Sequence, residues 1–265
     1  MNKLLQLEFR RLFRAKSFYI CTLISLAMIL ISAATSKLLY NAITVEMDEE
    51  TMEAFGAAAI QLPTSFSMMK TVLSSSLTMI LAIFVAIFVT EEYSGDIVKN
   101  VYSKGYSRDV VYFSKYISSL AAALLIFLTS AIFSFASGKI FFGEIGETGE
   151  NYVASMFAIL FIAIAYHAIY FALSNSLRKT GSSIAISIIG PWVISLLLSL
   201  LRALIRKANA ESTFDPADYW LSNRTTAMEA ANVAGKELLI SFLVAGVLIA
   251  AGIAIGYFVN RKRES

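Results

Sequence analysis

Between two of the most apolar runs of this sequence lies a charged stretch of about two dozen residues, Glu91 to Lys115, reading EEYSGDIVKNVYSKGYSRDVVYFSK. Glu91, Glu92, Asp96, Lys104, Arg108, Asp109 and Lys115 supply mixed charge, and Gly95, Gly105 and Ser107 punctuate it. Read as a helix, a break at Lys104-Gly105 and a second helix, the stretch has Ser107 as its N-cap and Asp109 in the favoured first turn. Such an element would protrude with a charged tip and could receive work from a partner. The plainer reading is a solvated loop with no partner.

Catalysis finds no footing elsewhere. The sequence lacks a G-x-x-x-x-G-K-[ST] phosphate loop, a G-x-G-x-x-G turn, an H-E-x-x-H pair and a G-x-S-x-G elbow. One histidine, His167, and one cysteine, Cys21, cannot build a multi-ligand metal site or a disulfide framework. No catalytic residue, no metal and no cofactor of its own is therefore expected, and the chain is not an enzyme by itself.

The remaining polar residues lie inside apolar runs. Ser75, Thr78, His167, Tyr170 and Ser195 are candidates to line a pathway, and a weakly polar lining suits amphipathic or lipid-like cargo better than a small ion. Hydroxyls also pack between membrane helices, and a lone histidine more often shares a hydrogen bond with a neighbouring helix. Small residues form two stripes, Ser183, Ser187 and Gly190 in one run and Gly252-x-x-x-Gly256 in another. Either stripe serves helix packing within the chain or a dimer face.

These positions need a scaffold, and composition names it. Hydrophobic residues make up 57% and charged residues 15%, against about a quarter charged in soluble domains. Six intervals lack Asp, Glu, Lys and Arg for twenty residues or more: 17–36, 71–90, 116–138, 151–177, 180–201 and 238–260. Each is long enough to cross a bilayer as a helix, and solid apolar blocks rule against a barrel. The expectation is an all-α membrane protein of one domain, 1–265. Its six transmembrane helices fall at about 18–39, 72–89, 116–137, 152–173, 183–204 and 238–259. Residues 1–16 read as a basic amphipathic interfacial helix with Leu4, Leu5, Phe9, Leu12 and Phe13 opposite Lys3, Arg10, Arg11 and Arg14. Residues 54–69 are too broken for a span and read as re-entrant or surface-lying, and 205–237 as an outer loop with helices.

Orientation follows from the basic residues. With the N-terminus inside, inner segments hold 14 Lys and Arg against 8 in outer loops, which places both termini in the cytoplasm. The 91–115 loop is then cytoplasmic.

At this point the sequence resembles the membrane subunits of type-2 ABC exporters. In that family the loop after the second span carries an acidic residue, a glycine, a Ser-Arg pair and a lysine entering the third span. Here those are Glu91 or Glu92, Gly95, Ser107-Arg108 and Lys115, with Tyr106 where the family frequently has proline. The resemblance implies that 91–115 couples to a separate cytoplasmic ABC ATPase that holds ATP and Mg. It implies a second permease subunit, identical or a close paralogue, and helices between the last two spans. Small subunits of this kind are similar to bacterial permeases for antimicrobial or other amphipathic peptides, including immunity systems. The implied location is the bacterial cytoplasmic membrane among its lipids, with no nucleic-acid partner. The alternative from another class is a non-transporting assembly protein that recruits a cytosolic partner through the same loop. An ion-coupled carrier is disfavoured, because such carriers place charged groups in mid-membrane.

Overall fold

The computed structural model describes residues 2–46, 63–94, 101–209 and 214–263. Within them the chain is helical without strands, and six helices are long and apolar enough to cross a membrane. Helix α1 (Asn2–Leu12) precedes α2 (Lys16–Glu46). The second span is composite: α3 (Ser65–Thr71), a π-helical turn (Val72–Ser76) and α4 (Leu77–Ser94). Then come α5 (Arg108–Phe142), α6 (Tyr152–Leu177), α7 (Thr180–Ala208), a 3-10 turn (Pro216–Tyr219), α8 (Leu221–Glu229) and α9 (Gly235–Arg263).

The second apolar helix begins at Ser65, so 65–69, read from sequence as re-entrant or surface-lying, is continuous with it; residues 54–62 lie outside the described residues. Lys70 ended the apolar interval in the sequence, yet its side chain is buried. It donates to the Ala230 carbonyl at 2.7 Å and lies 5.1 Å from the centre of the Tyr152 ring. A capping box of Thr64 and Ser67 starts α3, and its backbone donors reach the carbonyls of Glu144 and Ile145. Gly138 of α5 permits this approach, since a Cβ there would lie 2.7 Å from the Ser65 Cα.

The π turn has a local cause. Ser75 donates to the Thr71 carbonyl at 2.7 Å, and the Ser74 hydroxyl lies 3.0 Å from the same oxygen. Hydroxyls competing for helix carbonyls loosen the regular ladder, and three serines stand in a row here.

Helix α5 runs unbroken from Arg108, so the short helix expected after the Lys104-Gly105 break is the first part of the third span. At 35 residues it rises about 52 Å, well beyond a hydrocarbon core of about 30 Å. Helices α4, α5 and α6 form the centre, with Phe84, Phe88, Tyr112, Ile126, Ile159 and Phe171 buried among them, and α9 packs on α6. Gly252 and Gly256 let α9 close on α6: a Cβ on Gly252 would meet Ala168 at 3.0 Å, and one on Gly256 would lie 2.5 Å from the Tyr112 hydroxyl. This stripe packs α9 closely against α6 within the chain. Ser183 and Ser187 of α7 are likewise buried inside the chain, while Gly190 is half-buried. The outer side of α7 presents Ile189, Trp192, Leu196 and Leu200, and α7 is the least buried of the six spans.

Candidate functional site

Two polar constellations stand out, one at each level of the bundle. The first joins α1 to both roots of the 91–115 loop. Leu4, Glu8 and Leu12 occupy one stripe of α1, four residues apart, and all three are buried. Arg11, set among outward cations by the helical wheel, turns inward: its side chain is 17% exposed and contacts Glu8 at 3.4 Å. Its guanidinium also donates to the Phe88 carbonyl at 2.8 Å and sits 4.8 Å from the Phe88 ring centre.

Glu92, near the end of α4, is the hub. Its carboxylate pairs with Arg11 through one oxygen and with Lys115 of α5 through the other, and its side chain is 3% exposed. Burial pushes the Glu8 carboxyl above its ordinary range, with the Arg11 charge and hydrogen bond pulling the other way. Burial also lowers the Arg11 pKa, opposed by Glu8 and Glu91. An arginine starts so high that it stays charged.

The cluster continues across the bundle. Lys115 Nζ and the Arg178 guanidinium lie 4.4 and 4.7 Å from the Tyr93 ring centre, and the Tyr93 hydroxyl donates to Asn175. Asn175 Nδ2 reaches the Gly256 carbonyl of α9 at 3.5 Å, and Thr90 meets Thr180 at 2.7 Å. Helices α1, α4, α5, α6, α7 and α9 are thus tied at the loop end.

Of the loop residues named from sequence, Lys104, Gly105, Ser107, Arg108 and Asp109 are exposed, as is Glu91. Gly105 has φ +82°, which glycine adopts without strain and which makes the break. Ser107 occupies the N-cap position of α5 without a side-chain capping bond. Glu92 and Lys115, named from sequence among the coupling residues, are buried and paired with each other at the two roots of the loop. Gly95 and Asp96 lie outside the described residues. The sequence reading missed Glu8, Arg11, Tyr93, Asn175 and Arg178. A carboxylate on the Leu4–Leu12 stripe was the available signal for Glu8.

The second constellation is a cleft of about 530 Å³ between the π turn, α4, α6, α7 and α8. Four of the five expected pathway residues, Ser75, Thr78, Tyr170 and Ser195, line it together. Ser195 meets Ser222 of α8 at 3.1 Å, and the stacked rings of Tyr166 and Tyr170 are 5.7 Å apart. His167 is not part of it. Fully buried, it meets Ser119 at 3.0 Å and packs against Tyr116 and Phe171. No group of three His, Cys, Asp or Glu that could hold a metal exists among the described residues.

A family model described as "ABC-2 family transporter protein" matches residues 4–193, most of the chain and all of the ion cluster. The chain belongs to the ABC-2 transporter family. Comparison with curated proteins and with solved structures gave no match. An ABC-2 chain is a transmembrane, non-catalytic subunit of an ABC transporter, and the family implies an ABC ATPase as its associate. With its six apolar helices this permease is an integral membrane protein. The family match stops within α7, so α8 and the wall it gives the cleft lie beyond it.

Proposed function

We propose that this chain is the permease of an ATP-driven exporter, moving an amphipathic peptide, drug or lipid-like molecule out of a bacterial cytoplasm. The exposed tip Lys104–Asp109 docks on the ATPase subunit, which binds ATP and Mg, and a second permease subunit completes the pathway. Support comes above all from the buried Glu8–Arg11–Glu92–Lys115 cluster at the roots of the loop. Separating a buried ion pair costs about 3–5 kcal/mol, so displacement of the tip carries α1, α4 and α5 along instead of bending the loop at its base. The hydroxyl-lined cleft between α4, α6 and α7 gives that motion something to open or close.

The test is co-purification. The tagged permease should bring down a soluble nucleotide-binding subunit from its native membrane, and Arg108→Glu should release that subunit while the permease keeps its apparent Tm. Failure of any ATPase to associate would overturn the reading in favour of a non-transporting assembly protein.

A further inference from the structure

The cleft contains a carboxylate that an uncharged cargo would leave unused. Glu229 ends α8, lines the cleft and accepts a short hydrogen bond from Ser74 of the π turn. Among the described residues no lysine or arginine pairs with it. Lys70, one turn before Ser74, gives its ammonium to the Ala230 carbonyl and the Tyr152 ring instead.

The hydroxyls around Glu229 point the same way. A hydroxyl has one proton to donate and two lone pairs to offer. Ser75 donates to Thr71 O at 2.7 Å, Thr78 to Ser74 O at 3.1 Å, and Thr226 to Ser222 O at 3.1 Å. Their protons are spent on backbone, so what they offer the cleft is lone pairs. Ser187, 1% exposed, has no hydrogen-bond partner and so keeps both its proton and its lone pairs. The stacked tyrosines and Trp192 add aromatic faces, which attract cations. Glu229 is the one charged side chain of a lining that otherwise holds hydroxyls, the Asn223 amide and aromatic rings, so the cleft favours a cation over an anion.

We infer that the cleft binds the protonated amine end of an amphipathic molecule, with Glu229 as its counter-ion and the apolar body against Trp192 and α7. This rests on the transport reading and deepens it by fixing the charge of the cargo.

The full chain carries two tryptophans, so Trp220→Phe leaves Trp192 as the reporter. In phosphatidylcholine nanodiscs, the Trp192 fluorescence of this protein is titrated with dodecylamine, dodecanol and dodecanoate at matched membrane loading. Dodecylamine should give a saturable change at least about tenfold tighter than the other two. Glu229→Gln should weaken dodecylamine about tenfold or more and leave dodecanol unchanged, as loss of a charge-assisted hydrogen bond requires. Equal affinity for dodecylamine and dodecanol would overturn the proposal without any variant, as would full amine affinity in a folded Glu229→Gln protein. Neither ATPase nor nucleotide is present. Amine selectivity without ATP-driven export therefore refutes the transport reading alone, and export indifferent to an amine refutes this proposal alone.

Discussion

Glu92→Gln removes the one charge that holds both Arg11 and Lys115, while keeping the shape of the side chain. The carboxylate is nearly inaccessible, Lys115 is equally buried and Arg11 only slightly less so, so solvent screens the loss weakly. Removing one member of a buried pair typically costs about 3–5 kcal/mol, because the partner charge remains in low dielectric. For a chain of this size that corresponds to an apparent Tm lower by roughly 6–20 °C. The assay is thermal unfolding in detergent or nanodiscs at pH 7.5, scanned at one fixed rate because unfolding of such proteins is irreversible. Adding Lys115→Met to Glu92→Gln should recover part of the loss, since the two sites share one network. An unchanged Tm in Glu92→Gln, or strictly additive losses in the double variant, would refute the claim that the cluster anchors the loop.

Further outcomes follow from neighbouring residues. Glu8 has a raised folded pKa, so it binds its proton more tightly in the folded state; its contribution is full below the unfolded pKa and falls as pH rises through the folded one. Glu8→Gln should therefore match or exceed the wild-type Tm at pH 7.5, with any advantage shrinking toward pH 4; a deep loss at pH 7.5 would contradict this. Gly252→Leu should cost at least about 1–3 kcal/mol, read as a lowered Tm, because α9 has no room beside Ala168. His167→Asn should alter stability but not cargo selectivity in a transport assay, since the ring lies outside the cleft.

The spans were legible because lipid forbids unpaired charge, and the gaps between charged residues marked all six. The start of the second span was hidden by Lys70, whose partners Tyr152 and Ala230 lie far away in sequence. Arg11 was misplaced for a similar reason: a helical wheel sorts residues by type, and Glu92 and Phe88 on another helix draw this guanidinium inward. Hydroxyls such as Ser75, Thr78 and Ser195 were readable as polar positions within spans. Their convergence with Glu229 was not, because α8 is a short polar helix whose seat depends on tertiary packing by Leu221 and Met228. The glycines of α9 announced a close helix contact, and only the fold assigned it to α6.

ATP-driven cargo movement in proteoliposomes holding the permease and its ATPase, compared between wild type and Arg108→Glu at equal insertion, tests the central claim most directly. The coupling account predicts that transport falls about tenfold or more while the spans unfold at the wild-type temperature. Wild-type transport in the charge-reversed loop would contradict it.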